Sequence, residues 1–218
     1  CNPRCRGCSH RGWSKEESLV QKQNFVAQKL SQWSEVIEPI ISVEEEKRWG
    51  YRTSVTLSAE WNGNSWLFGT KSFDEVIPIH RCPVHHPLVN KIVEVLTDKL
   101  PSVEVFPLAF LVITKAQCVL IVKRKPTEEQ VKFTDDLVKQ IKDAGVKGFW
   151  IHYNPSAGRR LYEKGGWEKV FGSRLTKDSY GLWYGVSSFQ QQIPELYQHS
   201  LDIAEAFLNP DPMSYVVD

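Results

Sequence analysis

The run Ser54-Val55-Thr56-Leu57-Ser58-Ala59-Glu60-Trp61 is followed by Asn62-Gly63-Asn64 and then by Ser65-Trp66-Leu67-Phe68. Val55, Leu57 and Ala59 alternate with Ser54, Thr56, Ser58 and Glu60, the period of two that marks a half-buried strand. Asn-Gly between two such runs is a hairpin turn, because both residues accept positive φ at low steric cost. A strand, a tight turn and a returning strand predict an antiparallel sheet as the nucleus of the fold.

Moving toward the C-terminus, Val76-Ile77-Pro78-Ile79 leads directly into His80-Arg81-Cys82-Pro83. Pro87 opens a predicted helix to Leu100, since proline suits the first helical position. Phe106–Thr114 and Cys118–Val122 form a second hairpin pattern. Thr127 is the expected cap of a helix running to Ala144 and ended by Gly145. Gly148–His152 and Tyr180–Val186 read as short apolar strands, Pro194–Leu208 as a helix, and Ser214–Asp218 as a strand that needs neighbours to pair with. Moving the other way, Ser14 with Glu17 is a capping box. Leu19, Val20, Phe25, Val26 and Leu30 then give a helical stripe up to Trp33. Residues 1–13 carry no periodicity and read as a loop wrapped around a ligand. The expected class is α+β, with antiparallel hairpins, packed helices and an N-terminal metal-binding loop.

The sequence has 218 residues, 41% of them apolar, enough for a real core and too many for wholesale disorder. A net charge of +1 excludes a global electrostatic argument for nucleic acid, so any such argument rests on local patches. No apolar run is long enough to span a bilayer and the N-terminus lacks the regions of a signal peptide, so no membrane partner and a cytoplasmic location are expected. A chain opening on Cys1 rather than methionine is expected to be preceded by further residues.

Three of the five cysteines fall within the first eight residues. Without export signals such crowding favours metal binding over disulfides. Cys1, Cys5 and Cys8 form a compact ligand set, and Cys82, followed by Pro83, is the distant fourth. Gly7 lets the backbone pass close to an inorganic core, and Arg4 and Arg6 offset thiolate charge. By spacing alone an iron–sulfur cluster and a structural zinc are nearly even, with His10, His80, His85 and His86 enlarging the ligand choice. The same spacing occurs in radical S-adenosylmethionine enzymes. Here no strand precedes the motif, Gly7 stands where an aromatic is usual, and no barrel-like alternation follows. Cys118 lies in the run Cys118-Val119-Leu120-Ile121-Val122 and reads as a buried core thiol.

Several segments, in order and spacing, resemble the S-adenosylmethionine-dependent RNA uracil-5-methyltransferase family. They are Cys5-Arg6-Gly7-Cys8, Gln21-Lys22, Trp49-Gly50-Tyr51-Arg52, His80-Arg81-Cys82-Pro83, Ser188-Phe189-Gln190 and Tyr215-Val216-Val217-Asp218. The resemblance implies a 4Fe–4S cluster on Cys1, Cys5, Cys8 and Cys82, and so favours iron–sulfur over zinc. It also implies S-adenosylmethionine as cofactor, with Phe189 and Gln190 at its site, and structured RNA, tRNA or rRNA, as partner of a monomeric protein. Residues 1–192 are then the cluster-bearing, RNA-recognising domain. Residues 193–218 open a Rossmann-like methyl-donor domain whose first strand ends at Asp218. Two departures stand out: three residues rather than five separate the first two cluster cysteines, and Gln192 stands where the family has asparagine. No residue corresponds to the nucleophile or the base of the family's chemistry, so residues 1–218 alone are expected to be inactive. The competing expectation is a stand-alone, metal-stapled RNA-binding module.

Basic groups recur at Arg4-Arg6-Arg11, Lys47-Arg48-Arg52, Lys123-Arg124-Lys125 and Arg159-Arg160, amid eight tryptophans. Aromatics beside cations suit unpaired bases and their phosphates. For any single group a solvated surface is the simpler reading, and the arginines around the cysteines are the best candidates.

Overall fold

A computed structural model describes residues 2–124, 133–158, 160–211 and 213. The described residues fall into two compact units. One comprises those of Cys1–Gly7 and Trp49–Gln192, the other those of Cys8–Arg48 and Ile193–Asp218.

The first unit is built on a seven-stranded sheet. Its strands are β1 (Ser54–Trp61), β2 (Trp66–Ser72), β3 (Glu75–Pro78), β4 (Leu108–Thr114), β5 (Gln117–Val122), β6 (Gly148–Tyr153) and β7 (Trp167–Gly172), in the order β3-β2-β1-β4-β5-β6-β7. The deciding hairpin forms as read: Trp61 faces Trp66 across the turn, with Asn62 Oδ1 accepting the amides of Asn64 and Ser65. All neighbours are antiparallel except β5 and β6, which run parallel from Gln117↔Gly148 to Val122↔Tyr153. This corrects the purely antiparallel expectation. Every residue of β5 is buried, as expected for a strand covered on both faces, and a parallel partner reached through a helix suits such a strand.

Helix α2 (Pro87–Lys99) lays Val89, Ile92, Val93 and Leu96 into one core with Leu57, Phe68, Leu111, Leu120 and Phe149. Helix α3 (Asp135–Asp143) adds Leu137 and Ile141 to that core. The helix expected from Thr127 is corrected. Thr127 lies outside the described residues, and the described helix is capped by Thr134, whose hydroxyl accepts the Leu137 amide at 3.2 Å. Gly145, at φ +103°, follows the helix end as expected. The opposite sheet face is covered by a smaller cluster in which Ala157 and Val186 meet Val112, Val119 and Ile121. The strand expected over Tyr180–Val186 shrinks to a two-residue ribbon, β8 (Thr176–Lys177) with β9 (Trp183–Tyr184). Glycine and Asp178 turn the chain on either side of Tyr180: Asp178 accepts the amides of Tyr180 and Leu182.

The second unit contains α1 (Lys15–Lys29), a 3-10 turn over Ser31–Val36, another over Glu45–Arg48, and α4 (Pro194–Leu208). The Ser14–Glu17 capping box is present with both reciprocal bonds. The stripe expected on α1 does not become a buried face: Val20, Phe25 and Leu30 are exposed, while Leu19 and Val26 are half buried. Five apolar residues at these spacings spread over too wide an arc to share one side. Leu19 and Val26, seven residues apart, share a side with Gln23, whose Oε1 accepts the Ile40 amide at 2.8 Å. The C-terminal strand expected over Ser214–Asp218 lies outside the described residues. Among the described residues no helix is long and apolar enough to cross a membrane.

Candidate functional site

The Cys82 loop follows β3 and is fixed by backbone pairing and by one side chain. Pro83 and Val84 carbonyls accept the amides of Gly50 and Arg52, each at 2.8 Å, and the His86 amide donates to the Arg52 carbonyl at 2.9 Å. The Tyr51-Arg52 and Cys82-Pro83 segments, remote in sequence, thus lie side by side as a short parallel ladder around Arg52 and His85. Asn90, one turn into α2, completes the arrangement. Its Oδ1 accepts the Cys82 amide at 3.1 Å, and its Nδ2 donates to the carbonyls of Cys82 at 3.1 Å and His85 at 3.5 Å. Sequence reading missed Asn90, because a polar residue on the first turn of a helix carries no periodic signal.

Cys5 sits in a loop tied to the β2–β3 hairpin. Asn2 Nδ2 donates to the Pro78 carbonyl at 3.4 Å, the Cys5 amide donates to the Asn2 carbonyl at 3.1 Å, and Arg4 pairs with Glu75. The Sγ of Cys5 accepts the Gly7 amide at 3.4 Å and the Thr70 hydroxyl at 3.9 Å. A Cβ on residue 7 would stand 3.4 Å from that sulfur, an ordinary contact, so space alone does not demand glycine there. Amide and hydroxyl donors aimed at sulfur suit a thiolate. The N-terminal loop is thus bonded to Pro78 at the end of β3, four residues before Cys82 in the chain.

The donors at Cys5 are of the kind that a metal-bound thiolate would take. Among the described residues no group of three or more His, Cys, Asp or Glu side chains is gathered to hold a metal. Cys1 lies outside the described residues and Cys8 belongs to the second unit. Of the histidines considered as extra ligands, His10 Nδ1 meets Ser18 Oγ at 2.7 Å and His86 Nδ1 accepts the Leu88 amide as a helix cap. His80 is exposed. His85 is buried, with no partner for its Nδ1 among the described residues, and burial followed by the Arg52 charge pushes its pKa down to about 4. Cys118 is fully buried, and that burial drives its thiol pKa far above the ordinary range, as expected for a core thiol.

The Ser188-Phe189-Gln190 segment is anchored on the sheet just before it. The Val186 carbonyl accepts the Thr114 hydroxyl at 2.7 Å and the Tyr162 hydroxyl at 3.3 Å, and Ser188 Oγ accepts the Gly185 amide at 2.9 Å. Beyond this anchor Phe189 is exposed and Gln190 half buried. Among the basic groups, Arg4 is paired with Glu75, Arg48 with Glu45, Lys47 with Glu195, and Arg124 donates to the Glu104 carbonyl. Lys125 and Arg159 lie outside the described residues. Gln21 lines an open groove of about 620 Å³ beside α1, with Trp13 and Phe25 on its walls.

The architecture is a mixed α+β fold with one large sheet and helices packed on it, and this fold recurs in a methyltransferase. The chain superposes with a TM-score of 0.63 and 16% identity on the crystal structure of the Pyrococcus abyssi tRNA (uracil-54, C5)-methyltransferase in complex with S-adenosyl-L-homocysteine, covering 93% of this chain and 50% of that one. In sequence it is similar to an uncharacterized RNA methyltransferase of Protochlamydia amoebophila, 23% identical over 222 residues that cover 90% of this chain and 55% of the relative. No family model matches. The chain spans about half the length of the proteins it resembles.

Proposed function

We propose that this chain is the RNA-recognising part of an S-adenosylmethionine-dependent RNA methyltransferase acting on C5 of uridine in tRNA or rRNA. The observation that carries the reading is the likeness, over nine-tenths of the chain, to a protein described as an RNA methyltransferase. The neighbour described as a tRNA uracil-54 C5-methyltransferase, bound to the demethylated donor, supports the choice of uridine and of S-adenosylmethionine. Residues 1–192 are assigned to cluster binding and RNA recognition, and residues 193–218 to the start of the methyl-donor domain. Phe189 and Gln190, at the end of the first of these, are assigned to the donor.

Cys1, Cys5, Cys8 and Cys82 are the assigned ligands of a 4Fe–4S cluster. The sulfur-directed donors at Cys5 and the clamp on Cys82 support this set. When bound, the cluster supplies a structural cross-link between the N-terminal loop and the sheet. Within the protein, Asn90 orients the Cys82 backbone, while Gly7 and Thr70 hold the Cys5 sulfur in place. The test is anaerobic purification with iron and acid-labile sulfide analysis, joined to filter binding of labelled tRNA. Iron and sulfide are expected, lost in Cys82→Ser, together with RNA binding that falls steeply with salt. Stoichiometric zinc without sulfide overturns the cluster, and absence of RNA binding overturns the function.

A further inference from the structure

The two-residue turn between β2 and β3 places Phe73 at φ +53°, while Asp74, beside it, has no such strain. Glycine or asparagine fills such positions as a rule, because a side chain in the left-handed region crowds its own backbone. A phenylalanine there calls for a reason. The turn between β4 and β5 offers a comparison: Lys115, at φ +50°, is held by an ion pair to Asp178 at 3.5 Å and lies 5.4 Å from the Tyr184 ring centre. Phe73 gains no such burial, since 84% of it is exposed. Its ring carries the Arg6 guanidinium 5.7 Å from its centre.

We propose that Phe73, backed by Arg6, is a stacking finger for an unpaired base of RNA. This rests on the RNA reading given above. The surroundings of the ring select this ligand. A protein partner needs a contiguous apolar patch, whereas the turn that carries Phe73 is otherwise polar along the chain: Lys71, Ser72, Asp74 and Glu75. A lone flat ring on a narrow protrusion suits one base, whose face stacks whatever its identity. Charge agrees: Glu75 is neutralised by Arg4, which leaves Arg6 and Lys71 against Asp74, a balance that favours a phosphate beside the stacked base. Strained backbone clusters at sites of binding and catalysis, so its presence at an exposed aromatic supports a contact role.

The test uses the full-length protein with two labelled RNAs, a stem–loop with an unpaired uridine loop and a blunt duplex of equal length, and the variants Phe73→Asn and Phe73→Trp. Asparagine removes both ring and strain. It should raise Tm by about 3 °C and weaken stem–loop binding by about tenfold, with duplex binding unchanged. Phe73→Trp should keep stem–loop affinity within about twofold, since it restores a stacking face. Unchanged stem–loop affinity in Phe73→Asn, or equal loss for both RNAs, overturns the finger and leaves the RNA reading standing. Failure of the unaltered protein to bind either RNA overturns both. A fall in Tm for Phe73→Asn overturns the strain on which the assignment is built.

Discussion

Asn90 gives both ends of its amide to the backbone around Cys82 and His85. Leucine there would take the side-chain partner from the Cys82 amide and the His85 carbonyl, while the Cys82 carbonyl would keep the His85 amide at 3.1 Å. With neutral hydrogen bonds worth about 1 kcal/mol each, Asn90→Leu should cost about 2 kcal/mol. The urea midpoint reads the cost, and faster hydrogen exchange at the Cys82 amide locates it; an unchanged midpoint would remove the clamp from this account. His152, buried on β6, stacks on Trp167 at 4.1 Å while its Nε2 accepts the Glu163 amide at 3.0 Å. Burial lowers its pKa, opposed by the Gly166 carbonyl and the Glu163 charge. The unfolded chain takes up that proton near pH ~6.5, the folded one only at lower pH. Between these points the unfolded state binds more protons, so stability is complete above about pH 6.5 and declines as pH falls. Urea midpoints at pH 7.5 and 5 should therefore separate more in the unaltered protein than in His152→Gln, and equal separations would contradict this role. Neither residue was legible in the sequence as more than a polar side chain, because each acts through partners that only the fold supplies.

Among the elements, those whose ends carry chemical punctuation were legible: the Asn62-Gly63-Asn64 turn, the Pro87 and Pro194 helix starts, and the Ser14–Glu17 box all stand where their chemistry puts them. What pairs with what was less so. β5 is buried at every position, and a continuous apolar run lacks the alternation that would tell a central strand with a parallel neighbour from a hairpin arm. The same burial sets a prediction. Cys118, in the middle of that sheet, keeps its proton and is shielded from reagents. In native protein it should resist alkylation at pH 8 and react fully once the chain is denatured. Cys118→Ser should cost about 1–3 kcal/mol, since a hydroxyl replaces a thiol in an apolar layer, and should leave bound metal unchanged. Modification of Cys118 at the rate of an exposed thiol would show that β5 is not the closed centre of the sheet.

For the whole molecule, the candidate site was legible as an inventory of residues and much less as an arrangement. The cysteine spacing proposed the ligands; the structure ties Cys5 to the β2–β3 hairpin through Asn2 and Thr70, and Cys82 to the first turn of α2 through Asn90, residues with no motif of their own. The proposed chemistry has a further requirement. Methyl transfer needs the donor sulfonium and the uridine carbon held in one geometry, and much of the rate comes from that positioning. Residues 1–218 offer Phe189 and Gln190 at the end of an anchored segment as the assigned donor contacts. Of the remaining thiols, Cys118 is buried and protonated, and the assigned cluster ligands would be occupied. A fragment of residues 1–218 is therefore expected to bind RNA without methylating it. A labelled-methyl assay comparing this fragment with a chain extended to the length of its relatives should give transfer only in the longer one. There, Gln190→Ala should reduce kcat/KM by about tenfold or more, the loss of one well-placed polar contact. Uridine methylation by the fragment, or an unaffected Gln190→Ala in the longer chain, would move the donor site away from the segment that follows β9.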